Sequence, residues 1–250
     1  LRILLTGAGG QVGWELKSTL AALGEVKAFD RAQLDLADTP RLIAAVRAMQ
    51  PDAIVNAAAY TAVDKAETER EAAFAVNATA PRVLAQEARR AGALLVHYST
   101  DYVFDGGKAT PYVEHDPTGP VSVYGESKLA GEQAIAASGC RHLILRTSWV
   151  YGPRGRNFLL TMLRLARERP ELRVVDDQVG APTSSLEIAR ATATLLAKGA
   201  LGLYHMTATG ETSWCGFARA ILARAGLATP VVAIRTEDYP TPARRPRNSR

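Results

Sequence analysis

A strand-like apolar run, Arg2-Ile3-Leu4-Leu5-Thr6, leads directly into Gly7-Ala8-Gly9-Gly10-Gln11-Val12-Gly13. An apolar periodicity through Leu16, Leu20 and Leu23 follows. This succession of strand, glycine-rich turn and helix constrains the fold more than any other stretch. Glycines there let backbone N–H groups approach a phosphate that side chains would hold off, and the helix N-terminus behind them favours negative charge. Gly7, Gly10 and Gly13 stand at the spacing G-x-x-G-x-x-G. Glycines also serve ordinary tight turns, so the position between strand and helix is what gives the spacing meaning.

The rest of the first half repeats the alternation. Glu25 to Phe29 reads as a second strand ending at Asp30, and Thr39-Pro40 opens a helix to Gln50 with proline at its first position. Ala53 to Asn56 is a third strand, a long helix covers about Glu71 to Ala91, and Ala93 to Tyr98 is a fourth strand. Tyr124 to Ala137 is helical, and His142 to Thr147 is a fifth strand. Such alternation predicts an α/β fold, a Rossmann-type doubly wound parallel sheet. After Trp149 the pattern loosens. Helices are expected over Asn157–Arg169, Ser185–Lys198 and Trp214–Ala225, and strands over Leu172–Val175 and Gly202–Met206. Residues 1–150 are expected to bind NAD(P), and 151–250 to form a smaller C-terminal substrate-binding lobe, interleaved in part with the sheet domain. Prolines gather toward the end, and Pro240 to Arg250 reads as having no element of its own.

Composition excludes several classes. A chain of 250 residues, 47% hydrophobic, can bury a proper core as one large or two small domains. No apolar run approaches the ~20 residues of a membrane span, and the N-terminal strand is too short and differently flanked for a signal peptide. Cys140 and Cys215 make neither a disulfide framework nor a metal spacing, which fits the reducing cytoplasm. His97, His115, His142 and His205 show no metal spacing and receive no role. The net charge of +5 suits anionic ligands such as phosphates. Nucleic acid is not an expected partner, because no recognition motif surrounds the one dense basic cluster, Ala243 to Arg250.

Asp30, about twenty residues beyond the glycine turn, can bind both hydroxyls of an adenosine ribose. It would repel a 2′-phosphate and favour NADH, whereas Arg31 beside it could offset that charge and admit NADPH. Asp35 and Leu36 are placed to hold the adenine, by carboxylate and by packing. Ala59-Tyr60-Thr61, just past the third strand, would let a cofactor lie across the strand ends.

The fourth strand ends in Ser99-Thr100-Asp101, and Tyr124-x-x-x-Lys128 follows. Reducing a ketone needs hydride on carbon and a proton on oxygen. Tyrosine can give the proton, but its ordinary pKa is about 10. An ammonium nearby favours the phenolate and lowers that value. Four residues apart on a helix, Tyr124 and Lys128 share one face. Thr100 can hydrogen-bond the substrate oxygen as charge develops there.

These motifs resemble the extended short-chain dehydrogenase/reductase family. Longer segments resemble one branch of it, the dTDP-4-dehydrorhamnose reductases. They are Gly10-Gln11-Val12-Gly13-Trp14-Glu15-Leu16, residues 55–67 from Val55 to Glu67, Tyr98 to Gly106, Arg146 to Gly152, Asp177 to Thr183, and Tyr239 to Ser249. The resemblance covers essentially the whole chain. It implies reduction by NADH or NADPH of the C4 ketone of dTDP-4-dehydro-L-rhamnose, the last step of dTDP-rhamnose synthesis. It implies Tyr124 as proton donor, Lys128 as its support and ribose ligand, and Thr100 at the carbonyl. Gly10, Gln11, Val12, Asp30, Asp35, Leu36, Ala59, Tyr60 and Thr61 would touch the cofactor. Thr100, Asp101, Trp149, Asn157 and Arg245 would touch the sugar nucleotide. Plainer readings stand beside these: Trp149 as core, Asp101 as a turn cap, Asn157 as a helix N-cap, Arg245 as a solvated charge.

Some members of the branch form homodimers around Mg²⁺ held by glutamates. Glu15 matches, but Leu186-Glu187 is offset by one, so no metal site is assigned. The branch also continues past Asn248-Ser249 into a further C-terminal stretch. A sugar-nucleotide dehydratase would want Glu where Tyr102 stands, and another sugar-nucleotide reductase or an epimerase is open by fold alone, but the Ser-Thr-Asp-Tyr segment points to this branch. The chain further resembles the regulatory subunit of methionine adenosyltransferase, an NADP-binding protein on the same scaffold, which is the alternative from outside enzymes.

Overall fold

The computed structural model describes residues 1–250. Six strands form one parallel sheet. Its first parts are β1 (Arg2–Thr6), helix α1 (Gln11–Ala21), β2 (Glu25–Phe29), α2 (Thr39–Met49) and β3 (Ala53–Asn56). Asp38 caps α2 by accepting the Arg41 N–H at 3.1 Å, ahead of Pro40 in the first turn. Short helices α3 (Val63–Ala66) and α4 (Arg70–Phe74) precede α5 (Ala80–Ala91), and β4 (Leu94–Thr100), α6 (Val123–Ala137) and β5 (His142–Thr147) complete the first half.

Where one long helix is expected over 71–91, the chain makes a π-helical turn at Ala75–Thr79 between α4 and α5. Pro81 has no N–H to return to Asn77, so the regular i→i−4 ladder cannot pass through that point.

Beyond β5 come β6 (Val150–Tyr151), α7 (Phe158–Glu168), β7 (Leu172–Val175), β8 (Val179–Gly180), β9 (Thr183–Ser184) and α8 (Ser185–Ala197). They are followed by β10 (Gly202–His205), β11 (Thr212–Ser213), α9 (Trp214–Arg224), β12 (Val231–Ile234) and β13 (Asn248–Ser249). The segment expected to lack structure at the C-terminus contains β13, which lies parallel to β8. The unexpected β12 pairs with β7. Both are too short for periodicity to reveal, and each is completed by a partner far away in sequence.

The large sheet has the order β10-β5-β4-β3-β1-β2. Alternation along each strand divides its apolar residues between two faces. Leu4, Ile54 and Leu95 face α2, α5 and α6, where they meet Leu42, Val46, Leu84 and Ile135. Ile3, Leu5, Val55 and Val96 face α1 and α8, meeting Leu16, Leu20, Ile188 and Leu196. Thus α8 and β10 return to the large sheet from the second half of the chain. A separate core of α7, α9 and β7, including Met162, Leu172, Val174 and Ile221, supports the smaller lobe. The strand order reverses between β1 and β3, the place where open α/β sheets bind ligands beyond their carboxyl ends. No helix is long and apolar enough to cross a membrane.

Candidate active site

At the end of β1, Gly7 has φ +73° and abuts the exit of β3: a Cβ there would lie 2.5 Å from the Ala58 nitrogen. A Cβ on Gly13 would lie 2.0 Å from the Gly7 carbonyl oxygen. Backbone therefore packs on backbone at both ends of the turn, and only glycine fits. Gly9 is different, because its nearest neighbour would be the Asp30 Cβ at 3.6 Å. Gly10 caps α1 without any side-chain acceptor, so the first N–H groups at Gln11 and Val12 have none. Asp30 accepts the Gln33 N–H on Oδ1 at 2.9 Å, and no protein donor reaches its other oxygen. This cradle, an uncapped helix start with a free carboxylate oxygen beside it, fits the phosphates and a ribose of a dinucleotide.

Asp35 accepts the Ala37 N–H and lies 3.5 Å from Arg31. Leu36 departs from its expected place. It is buried with Leu34 and Leu42 beneath α2, because the Leu-x-Leu alternation turns both leucines into the core. Ala59, Tyr60 and Thr61 leave β3 as expected, and Asn77 of the π turn fixes them. It accepts the Tyr60 N–H at 2.8 Å and donates to the Tyr60 carbonyl at 3.0 Å and to Ser127 at 3.0 Å.

Thr100 ends the wholly buried β4. Its hydroxyl donates to Asp101 Oδ1 at 2.9 Å and accepts the Tyr102 N–H at 3.1 Å. Ser122 caps α6 by accepting the Gly125 N–H, which puts Tyr124 in the first turn and Lys128 one turn on. The helix is seated by close backbone contact: a Cβ on Gly125 would lie 2.3 Å from the Tyr102 carbonyl oxygen. Tyr102 meets the Tyr124 ring edge-on at 5.4 Å.

Surrounding protein pushes the Tyr124 phenol up to about 12; burial is the main cause, Asp101 adds to it, and Thr100 partly offsets it. Burial pushes the Lys128 ammonium down to about 8, with Glu132 opposing. The phenol is thus raised, where the spacing predicts a lowered one. Lys128 Nζ is turned to the Tyr98 carbonyl at 2.6 Å and to His97 Nε2 at 3.3 Å. Burial also pushes the Asp101 carboxyl up to about 6.

Beside Asp101 lies a cavity of about 170 Å³, lined in part by Phe104, Arg146, Thr147, His205 and Ser249. Asp101 Oδ2, Thr147 Oγ1 and His205 Nε2 are buried without partners. Three unpaired polar atoms on one cavity suit a ligand rich in hydroxyls. Thr147 and His205 carry no signal in the sequence. They arrive through strand pairing, Thr147 opposite Thr100 and His205 opposite Arg146.

Trp149 has φ +48° and stacks on Trp214 with centroids 3.5 Å apart. Its ring fills the space where Gly180 would carry a Cβ. Asn157 is an N-cap: Oδ1 accepts the Leu160 N–H at 3.0 Å, and Nδ2 donates to Gln11 Oε1 at 2.8 Å and to the Gly152 carbonyl at 2.9 Å. It therefore ties α7 to the glycine turn. Arg245 pairs with Asp64 at 2.8 Å and binds the Ala243 carbonyl. The fold gathers Thr100, Asp101, Tyr124 and Lys128 at one point, with the glycine turn, Asp30 and residues 59–61 on the same sheet edge. Leu36, Asn157 and Arg245 instead have their functional groups engaged by the protein.

The family model described as the RmlD substrate binding domain matches residues 1–250. A dTDP-4-dehydrorhamnose reductase of Burkholderia thailandensis is 53% identical, over all of this chain and 89% of that protein. Among solved structures, a dTDP-4-dehydrorhamnose reductase of Clostridium acetobutylicum is 40% identical with TM-score 0.97, over 100% of this chain and 89% of that one. A dTDP-4-dehydrorhamnose reductase of Bacillus anthracis, in complex with NADP, is 38% identical with TM-score 0.96, over 99% and 89%.

Proposed function

The chain belongs to the dTDP-4-dehydrorhamnose reductase family, and from that premise we propose that it reduces the C4 ketone of dTDP-4-dehydro-L-rhamnose to dTDP-L-rhamnose. The observation that carries this reading is the convergence of Thr100, Tyr124 and Lys128 at the end of β4, on the sheet edge that bears the glycine turn. A nicotinamide cofactor, NADH or NADPH, supplies the hydride when bound. The N–H groups of Gln11 and Val12 hold its phosphates, and Asp30 holds a ribose. Asp30 disfavours a 2′-phosphate, and the exposed Arg31 beside it counters that charge.

Tyr124 gives its phenolic proton to the oxygen of the former ketone. With a pKa of about 12, the phenol is fully protonated at neutral pH, the state a donor requires. Thr100, tied to Asp101, faces the same oxygen. Lys128 supports Tyr124 and the nicotinamide ribose. Asp101, Trp149 and the polar cavity beside them receive the sugar. The reaction belongs in the cytoplasm, where the thiols of Cys140 and Cys215 stay reduced.

The test is cofactor oxidation with enzymatically generated dTDP-4-dehydro-L-rhamnose. Oxidation that requires both the sugar nucleotide and the protein is expected. Folded protein that oxidises neither NADH nor NADPH overturns the reading.

A further inference from the structure

A polar line crosses the carboxyl edge of the sheet and ends on Lys128. Thr6, Asn56 and His97 stand opposite one another on β1, β3 and β4. By alternation they share the face of Leu4, Ile54 and Leu95, toward α5 and α6. All three are buried, and so is Lys128. Thr6 Oγ1 donates to Asn56 Oδ1 at 2.7 Å, and the Ala58 N–H donates to the same oxygen at 3.3 Å. Asn56 Nδ2 lies 3.1 Å from His97 Nδ1, and His97 Nε2 lies 3.3 Å from Lys128 Nζ.

The direction of these bonds follows from one fixed donor. A backbone N–H can only donate, so the Asn56 atom facing Ala58 is its oxygen, and the amide nitrogen faces the imidazole. Nδ1 must then accept. Burial, and secondarily the charge of Lys128, holds the His97 pKa well below its usual value, so the ring is neutral. A neutral imidazole that accepts at Nδ1 carries its proton on Nε2. That N–H points at Lys128. An amine lone pair can accept it, whereas an ammonium has none to offer.

We propose that His97 is a positioning residue: locked by Asn56 as the Nε2–H tautomer, it favours the amine over the ammonium at Lys128 and so sets the proton affinity of the group beside Tyr124. The functional meaning rests on the reading of Lys128 as the support of Tyr124; the electrostatic claim does not. The Tyr98 carbonyl, 2.6 Å from Nζ, accepts from either form and favours the ammonium, against His97. Glu132, one turn on, favours the ammonium, but it is held in a two-pronged pair with Arg146 of β5 at 2.7 and 2.9 Å. Tyr124 is neutral, and Asp101 reaches this site only past Thr100 and Tyr124. Glu126 is paired with Arg70 of α4 on the outer side of α6. The π turn that packs on α6 contributes neutral Asn77.

The experiment is an NMR titration of protein labelled at lysine Cε. The chain has six lysines, and Lys128→Met identifies the resonance. In the unaltered protein Lys128 should titrate well below the other lysines. His97→Gln can turn a carbonyl oxygen toward Nζ. Asn56→Asp keeps the acceptors for Thr6 and Ala58 but reverses the ring, placing the proton on Nδ1 and a lone pair on Nε2; its carboxylate also favours the ammonium by charge, so the tautomer itself is read from the ring 15N shifts of His97, and a proton on Nδ1 in the unaltered protein overturns the proposal. Each variant should strengthen proton binding at Lys128 about tenfold or more, an upward shift of about 1 pH unit. Looser packing that lets water reach Nζ would also raise the midpoint, so Leu95→Val, which opens space on the same sheet face with His97 and Asn56 intact, is the control and should shift Lys128 much less; an equal shift overturns the proposal. The proposal is overturned too if Lys128 titrates with the other lysines in unaltered protein, or if the midpoint stays put or falls in folded His97→Gln or Asn56→Asp. If one variant fails to fold, the other and the unaltered protein still decide. No substrate is involved, so the outcome is separable from that of the reductase assay.

Discussion

In the proposed reaction Tyr124 is the proton donor, and burial around it favours the protonated phenol. Tyr124→Phe should lower turnover by roughly 10²–10⁴-fold, the usual worth of a positioned acid, while cofactor affinity measured by fluorescence titration stays the same. Undiminished turnover would remove Tyr124 from the donor role. Asp30→Ala should weaken NADH more than NADPH in the same titration; an equal loss would show that Asp30 does not discriminate. Asp101 gives a pH prediction. Its folded-state pKa, about 6, is raised from 3.8 by burial. Its stabilising contribution is therefore present below the unfolded value and lost as pH rises through about 6. Above that, the buried carboxylate costs about 3 kcal/mol, at 1.36 kcal/mol per unit. Asp101→Asn should be more stable than the unaltered protein to urea at about pH 7.5, and the gain should fade toward about pH 4. A gain that does not depend on pH would contradict this. At this scale the spacing marked Thr100, Tyr124 and Lys128 as residues to be brought together, and the fold does bring them to one point. The sequence was silent for His97, Thr147 and His205, whose partners come from strands tens of residues away. It misled for Leu36, because apolar residues serve core and ligand alike.

Among elements, the glycine turn and α6 show how close approach fixes a site. Gly13→Ala drives a methyl group against the Gly7 carbonyl, and overpacking of this kind costs about 1–3 kcal/mol. For a chain of this size that is a fall in Tm of roughly 2–12 °C, accompanied by loss of cofactor binding. Gly9→Ala, with only an ordinary contact at 3.6 Å, should leave Tm nearly unchanged. Equal effects in a thermal melt would undo the packing argument for the turn. The turn was legible because its glycines sit between a clear strand and a clear helix. The π turn at Ala75–Thr79 was not, although Pro81 marks the break. Its use, holding residues 59–61 through Asn77, depends on tertiary contact. Gly125 and Gly131 of α6 likewise look like weak helix formers until the carbonyls of Tyr102 and Asn77 are seen against them.

For the molecule as a whole, the alternation of strand and helix was enough to imply the parallel sheet. The return of α8 and β10 to that sheet follows from burial: without them Leu143, Leu145 and the outer side of β5 would lack cover. What sequence could not supply is the meeting of β8, β11 and β13, two-residue strands whose only signal is each other. The consequence is a single edge on which the glycine turn, Tyr124 and a polar cavity stand side by side, which is the arrangement the proposed reduction needs. In the proposed reaction hydride reaches C4 while Tyr124 protonates the oxygen. This is tested most directly with nicotinamide cofactor deuterated at the transferred position and dTDP-4-dehydro-L-rhamnose, the product being read by NMR and mass spectrometry. The account predicts dTDP-L-rhamnose with deuterium on C4, formed far more slowly by Tyr124→Phe; product without deuterium at C4, or no product at all from folded protein, would contradict it.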